Sequence, residues 1–264
     1  MAWQIKYIKS KNIKELKKKL KKQKNAILIE GLPGMGNIGK IAVDFLIDSL
    51  KAEKICEIYS SSFPHSVFIN EDNLVELPLI ELYCKPMKGK TIFLLTGDTQ
   101  PLDEEACYEF CDTLLDIFQD FNGKEIITLS GIPIQKIPKT PKIYCAGNSK
   151  DIVKKYSVEG INNDLHGLGL LIGVSGLLLG LAGQRKIPSI SLLAETYCHP
   201  TYLGVKGAKE ILNILNKRLE LNLDIKKLTR EVESIEKEIS KKEKEISKAI
   251  EKHIKTQLDL DYIA

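Results

Sequence analysis

The chain has 264 residues, a formal net charge of +4 and a hydrophobic share of 43%. This length is enough to bury a full core, in one large domain or in two smaller ones. The apolar share is that of an ordinary globular protein, and a charge this small does not indicate a nucleic-acid-binding protein.

Residues 1–24 form a basic segment that differs in composition from the rest of the chain. Ten lysines and a single acid, Glu15, lie between residues 6 and 24. The first residues lack the apolar core of a signal peptide, so we expect a cytoplasmic protein whose six cysteines are reduced thiols. Nucleic-acid binding through this segment is a weak alternative, because only Trp3 and Tyr7 supply rings for base stacking.

Residues 25–220 have the pattern of an α/β domain, in which short apolar runs alternate with helical periodicity. Strands are predicted at residues 26–30, 54–60, 66–70, 74–84, 91–96, 125–130, 142–145 and 189–193. Helices are predicted at residues 37–50, 101–121, 149–156, 167–182 and 201–219. Runs such as TIFLLT and EIITLS are apolar throughout, which is typical of strands covered on both faces. We therefore predict a three-layer α/β domain with a mainly parallel sheet, plus one antiparallel hairpin that turns at residues 71–73.

The first turn of this region carries three glycines spaced as G-x-G-x-x-G, which are Gly34, Gly36 and Gly39. A dinucleotide site also needs an acid at the end of the next strand, but that strand ends in serines. The turn nearly matches a P-loop ending at Lys40, yet Ile41 occupies the position where Mg²⁺ needs a hydroxyl. We interpret the glycines as architectural. The helix that begins at Asn37 leaves the turn as a candidate anion-binding or partner-contact loop.

Other candidate catalytic and metal-binding residues do not form a complete constellation. Ser175 lies near a G-x-S-x-G pattern, but the frame is wrong and the residue is expected to pack inside a helix. Cys107 and Cys111 are one helical turn apart and could bind a metal with His199, although a fourth ligand is unassigned. Glu195 is the best acid at a sheet edge, but one acid is not a catalytic site. The sequence therefore predicts a protein without catalysis, metal or cofactor.

The most apolar segment, residues 167–183, is short for a membrane span, which needs about 20 residues. It contains six glycines and one serine. This composition favours a closely packed helix inside a globular protein, so we expect no membrane association.

Residues 221–255 carry a heptad pattern, and residues 256–264 follow as a short tail. The a-type positions are Ile225, Val232, Ile239 and Ile246, and the apolar d-type positions are Leu228, Ile235 and Ala249. Lys242 occupies the remaining d-type position and interrupts the pattern. A stripe this narrow favours a long helix that forms a coiled coil between chains, with self-association as the expected consequence. The alternative is one long amphipathic helix folded back onto the α/β domain.

Several stretches of the chain together resemble the archaeal-type proteasome assembly chaperone family. They are LPGMGNIGKIAVDFLI, SSSFPHSVFIN, TGDTQP, IYCAGNS, GVSGLLLGLAGQRKIPSISLLAET and AKEILNIL, and they cover roughly residues 25–216 in order. The resemblance implies an α/β fold similar to purine nucleoside phosphorylases, no established catalysis and homo-oligomerisation. Some relatives have been labelled ATP-grasp-like, which implies nucleotide binding. The rival function is thus a nucleotide- or nucleoside-binding enzyme that uses the turn of residues 34–39.

The resemblance also implies a partner, the outer face of the proteasome α-subunit ring. Members of the family dock there through a C-terminal tail that ends in a hydrophobic residue, a tyrosine and any residue. The corresponding side chains in this chain are Leu260, Tyr262, Ile263 and Ala264. Tyr262 is third from the end rather than second, so the register of the tail differs from the family pattern.

Overall fold

A computed structural model describes residues 3–8, 25–162, 169–199 and 202–224, together with residues 227, 229, 230 and 234. The chain divides into two compact units, Met1–Leu223 and Asp224–Ala264. The coiled coil predicted for residues 221–255 and the tail of residues 256–264 therefore lie almost entirely outside the described residues.

The apolar runs of the first unit form strands. They are β1 (Gln4–Tyr7), β2 (Ala26–Glu30), β3 (Glu53–Tyr59), β4 (Phe68–Ile69), β5 (Val75–Glu76), β6 (Ile80–Met87), β7 (Lys90–Gly97), β8 (Gly123–Ile134), β9 (Ile143–Gly147), β10 (Ile161–Asn162) and β11 (Ser189–Tyr197). Among the described residues, nine of these strands make one sheet in the order β1-β3-β6-β7-β2-β8-β11-β9-β10, and β4 and β5 pair separately.

The centre of the large sheet is parallel. Strands β7, β2, β8 and β11 run in one direction, and all five residues of β2 are buried. Both flanks contain antiparallel pairs. On one side β1 pairs with β3, β3 with β6, and β6 with β7, and on the other side β9 pairs with β11. The parallel arrangement predicted from the all-apolar runs is thus found where strands are covered on both faces.

In the described part of the chain, five helices cover the sheet, and they are α1 (Ile38–Leu50), α2 (Glu104–Asp120), α3 (Lys150–Tyr156), α4 (Val174–Gln184) and α5 (Val205–Leu219). Helices α1 and α5 pack together on one face, and α2 and α4 pack together on the other, so the three layers are confirmed. Side-chain caps fix two of the starts, since Asp103 accepts from Ala106 N at 2.8 Å and Ser149 accepts from Ile152 N at 3.3 Å. None of the helices in the described ranges is long and apolar enough to cross a membrane.

The structure corrects several predicted boundaries. The helix predicted at residues 167–182 begins at Val174, because Gly173 has a positive φ of 82° that cannot continue a helix. The strand predicted at residues 74–84 is broken at Pro78 into β5 and β6, since proline lacks the N–H that a ladder requires. The basic N-terminal segment also contributes β1, which the sequence pattern did not indicate.

Trp3 attaches β1 to the core on the α2 face of the sheet. Its ring centroid lies 5.0 Å from that of Phe110 and 5.6 Å from that of Phe63. The six cysteines are free thiols, five buried and Cys198 exposed, as expected for reduced cysteines.

Candidate functional site at the carboxyl edge of the sheet

The glycine-rich turn leads from the end of β2 into α1 at the carboxyl edge of the parallel strands. Met35–Asn37 form a single 3-10 turn, closed by a hydrogen bond from Asn37 N to Gly34 O at 2.9 Å. Gly36 and Asn37 both have positive φ, 63° and 51°. The chain therefore reverses through two left-handed residues, a conformation that glycine and asparagine tolerate best.

Two of the three glycines in the G-x-G-x-x-G pattern are required because neighbouring atoms leave no room for a side chain. A side chain at Gly39 would place its Cβ within 3.0 Å of the carbonyl oxygen of Leu129 in β8, so α1 sits directly on the sheet. A Cβ at Gly36 would overlap the Thr196 hydroxyl in the same way. At Gly34 the nearest atom, Leu32 O, is 4.0 Å away, so this glycine is not sterically required. The geometry supports the architectural interpretation for Gly36 and Gly39.

Lys40, which occupies the position of the phosphate-binding lysine of a P-loop, forms an ion pair within its own helix. Lys40 Nζ lies 3.1 Å from Asp44 Oδ2, one turn further along α1. Asp44 also accepts a hydrogen bond from Thr96 Oγ1 at 2.6 Å, which fixes the carboxylate. Together with Ile41, this arrangement supplies neither the lysine nor the hydroxyl with which a P-loop holds a nucleotide and Mg²⁺.

Behind the turn lies a buried acid that sequence reasoning missed. Glu30, the last residue of β2, is fully buried; its Oε1 accepts from Leu32 N at 3.0 Å and its Oε2 from Ser175 Oγ at 2.8 Å. Burial raises the pKa of Glu30 to about 7, against the opposing effect of these two hydrogen bonds. The carboxyl group therefore changes charge near neutral pH. The available signal was an acid at the end of the otherwise apolar run AILIE.

Ser175 is more than the small packing residue expected from the sequence, because its hydroxyl holds the Glu30 carboxyl. It lies in the first turn of α4, whose start is fixed by Gln100. The side chain of Gln100 donates from Nε2 to Pro33 O at 2.8 Å and accepts at Oε1 from Val174 N at 3.2 Å. One glutamine thus joins the glycine-rich turn to α4 across the carboxyl edge.

These elements enclose a cleft of about 310 Å³. One wall is the end of β8. This strand pairs with β2 only as far as Thr128 but with β11 as far as Ile134, so the edge of β8 beyond Thr128 has no strand on the β2 side and lines the cleft. The mouth is apolar and includes the exposed side chains of Met35, Leu170 and Ile172. The lining also includes the polar side chains of Gln100, Ser130 and Ser175. A cleft with apolar walls and a few polar groups suits a small molecule or an inserted side chain.

The other residues singled out from the sequence do not join this cleft. Cys107 and Cys111 are buried in α2, and the His199 ring stacks on Tyr197 with centroids 5.8 Å apart. Within the described ranges, no three His, Cys, Asp or Glu side chains form a group able to bind a metal. Glu195 accepts from Tyr144 OH at 3.0 Å and from Lys142 N at 3.1 Å, so it ties β11 to β9.

The four tail residues predicted to bind a partner, Leu260, Tyr262, Ile263 and Ala264, lie outside the described residues. Their role therefore remains a prediction from the sequence.

Comparison with known proteins identifies the family. The profile of the PAC2 family matches residues 28–243, most of the chain. The chain belongs to the PAC2 family. It is 31% identical over 207 residues to the uncharacterized protein MJ1210 of Methanocaldococcus jannaschii, an alignment that covers 78% of each sequence. The resemblance inferred from the sequence motifs is confirmed.

Solved structures of two proteins from Pyrococcus furiosus share the fold. PbaB, described as an archaeal proteasome activator, superposes with a TM-score of 0.78 at 31% identity, covering 91% of this chain and 98% of PbaB. PbaA, described as an archaeal homolog of proteasome-assembly chaperone, superposes with a TM-score of 0.69 at 27% identity. That superposition covers 89% of this chain and 94% of PbaA.

Proposed function

We propose that this PAC2-family chain is a non-enzymatic, cytoplasmic protein that assists proteasome assembly or binds the proteasome core particle. The observation that carries the proposal is the match to PbaB, an archaeal proteasome activator, over nearly the full length of both chains at 31% identity. The match to PbaA, a homolog of proteasome-assembly chaperone, supports the same class of partner.

The contact that we propose is the C-terminal tail on the α-subunit ring. Burial of Tyr262 and Leu260 in pockets between subunits would contribute about 1.5–3 kcal/mol each. A lysine in the pocket would add a charge-assisted hydrogen bond of about 1.5–3 kcal/mol to the Ala264 carboxylate. Ordering the tail costs about 1–2 kcal/mol per residue, so one tail binds weakly.

Several tails on one homo-oligomer would compensate for this weakness. A ring presents the same pocket repeatedly, and simultaneous engagement raises the apparent affinity by a factor of about 10²–10⁴ when the geometry matches. The proposed function therefore combines two features that the sequence predicts, a docking tail and self-association.

Surface plasmon resonance against immobilised α rings tests the tail. We expect binding by the wild type and none by a chain lacking residues 260–264 or by Tyr262→Ala. Tyr108→Ala is the matched control, because Tyr108 is an exposed tyrosine on α2 and its loss should leave binding unchanged. Equal binding by all four proteins removes the tail from the mechanism, and absence of binding by the wild type contradicts the proposed partner.

The rival function, a nucleotide- or nucleoside-binding enzyme, is disfavoured by the geometry of the glycine-rich turn. Lys40 is paired with Asp44, and Ile41 offers no hydroxyl. Isothermal titration of the full chain with ATP, GTP and NAD at millimolar concentration should therefore show no saturable heat. A dissociation constant below about 10 μM, equivalent to roughly 7 kcal/mol, would establish the rival function instead.

A further inference from the structure

The cleft at the carboxyl edge of the sheet has no part in the proposed function, which places the proteasome contact on the C-terminal tail. Its volume of about 310 Å³ lies in the range of small-molecule sites. Met35, Leu170 and Ile172 at its mouth are large apolar side chains that are 39%, 74% and 83% exposed. A compact apolar body in the cleft would therefore also remove apolar surface at the mouth from water.

The electrostatic surroundings of the cleft favour an uncharged ligand. Among the described residues that line it, none has a charged side chain. The first turns of α1 and α4 contribute to the lining, and the positive ends of their helix dipoles disfavour a cation. Behind Ser175 lies Glu30, and burial raises the pKa of this carboxyl to about 7. Above that pH the carboxylate is negative and disfavours an anion.

Ser175 sets the direction of the hydrogen bond that a ligand can form. Its hydroxyl donates to Glu30 Oε2 at 2.8 Å, while Oε1 of the same carboxyl accepts from Leu32 N at 3.0 Å. The single hydroxyl proton is thereby committed to the buried carboxylate, and the lone pairs of Ser175 Oγ can accept from a ligand. Because Ser175 also lines the cleft, a ligand that bonds to it must carry an N–H or O–H donor.

The edge of β8 adds backbone groups to the apolar wall. Ile126 N donates to Pro188 O and Ile134 O accepts from Cys198 N, so the even-numbered residues of this strand direct their backbone groups towards the β11 side. Backbone direction alternates along a strand, and the register with β11 is continuous here. Gly131 therefore directs its N–H and C=O to the opposite side, beyond the last residue that pairs with β2, where it lines the cleft.

We propose that this cleft is a binding site for a small uncharged molecule that has a mainly apolar body and an N–H or O–H donor for Ser175 Oγ. A bicyclic ring with one N–H, as in indole, has this chemistry. The site is separate from the C-terminal tail and is built from one chain, so its test uses the isolated full-length protein.

Isothermal titration at about pH 8.5, above the pKa of Glu30, compares two probes of the same shape. Indole carries the N–H donor, and benzofuran has an oxygen atom in its place. We expect saturable binding of indole with a dissociation constant below about 1 mM. Benzofuran should bind more weakly by a factor of about 3–10, which corresponds to the loss of one hydrogen bond.

Two further probes test the class of ligand. Indole-2-carboxylate adds a negative charge to the same ring and should bind less tightly than indole. N-acetyltryptophanamide presents the ring on a peptide unit and should bind no more tightly than indole. Tighter binding of the carboxylate would assign the cleft to an anion, and tighter binding of the peptide unit would assign it to an inserted side chain. Either result overturns the proposal.

Variants locate the binding site. Ser175→Ala should lower the affinity for indole to that for benzofuran and leave the affinity for benzofuran unchanged within a factor of about two. Ser66→Ala, at an exposed serine outside the lining, is the matched control and should bind both probes as the wild type does. Ile172→Asp changes an exposed side chain at the mouth, so the variant should fold, as checked by circular dichroism, and should weaken both probes. The proposal is also overturned by absence of saturable indole binding, by equal affinities for indole and benzofuran, and by indole affinities of Ser175→Ala or Ile172→Asp that equal that of Ser66→Ala.

Discussion

The glycine-rich turn and the β4–β5 hairpin are both connections outside the helices and the main sheet, and they differ in how they are packed. In the turn, Gly36 and Gly39 lie against the neighbouring elements so closely that a single Cβ would overlap them. In the hairpin, large apolar side chains such as Ile69 and Val75 point into solvent. The first connection is packed against its own chain, and the second leaves large apolar side chains exposed.

This difference separates two meanings of a sequence motif. The spacing G-x-G-x-x-G suggested a ligand but describes how α1 rests on β8. The hairpin carries no ligand-binding motif, yet it exposes a group of apolar side chains, which monomeric proteins rarely do without a binding role. Substitutions in the two regions should therefore affect different properties, folding in one and association in the other.

The largest effect is expected where the turn is tightest. Gly39→Val places a branched side chain against the backbone carbonyl of Leu129, which cannot move without displacing β8. We expect a loss of at least about 3 kcal/mol in the free energy of unfolding, measured by urea denaturation. The matched control is Gly34→Ala, since the nearest atom there is 4.0 Å away and the change should stay within about 0.5 kcal/mol. Equal losses for both variants would contradict the close packing of α1.

The next effect concerns Glu30, which links the turn to a pH dependence. Its pKa is about 7 in the folded protein against 4.5 for the ordinary side chain, so between these values the folded state keeps a proton that the unfolded state has released. The stabilisation is complete below pH 4.5 and is lost as the pH rises to about 7, a fall of about 3 kcal/mol in the free energy of unfolding.

Glu30→Gln removes this titration while keeping the shape of the side chain. Relative to the wild type, the variant should therefore gain about 3 kcal/mol between pH 4 and pH 8 in urea unfolding curves. Glu71→Gln, at the exposed tip of the hairpin, should run parallel to the wild type over the same range. A wild-type curve that is parallel to that of Glu30→Gln would show that burial does not raise the pKa of Glu30.

The sequence predicted the strand–turn–helix unit, the hairpin turn and most helices, because local signals specify them. Asp103 and Ser149 cap their helices close to the predicted starts at residues 101 and 149, and the turn predicted at residues 71–73 is present. All of these features depend on residues within a few positions of one another.

Features that depend on distant residues were not predictable in this way. The bond between Ser175 and Glu30 joins positions 145 residues apart, and nothing near either residue indicates it. Likewise, the antiparallel edge strand β1 was hidden within a lysine-rich segment, because pairing with β3 is decided by the sheet and not by composition.

The smallest effect on the isolated fold is expected at the hairpin, and it sharpens the contrast with the turn. Val75→Thr keeps a β-branched side chain at an exposed position, so at high dilution the free energy of unfolding should change by less than about 0.5 kcal/mol.

The dependence of the melting temperature on protein concentration should then distinguish the wild type from Val75→Thr. The sequence predicts self-association, and an oligomer is stabilised by mass action, so the melting temperature of the wild type should rise with protein concentration. If the hairpin takes part in association, that rise should be weaker in Val75→Thr, because a hydroxyl replaces a methyl group on its exposed apolar side. Melting curves over a hundredfold range of concentration provide the measurement, with Leu102→Thr as the control outside the hairpin. Parallel concentration dependence for the wild type and Val75→Thr would mean that the exposed apolar face contributes nothing to association, and that the turn and the hairpin differ in packing but not in function.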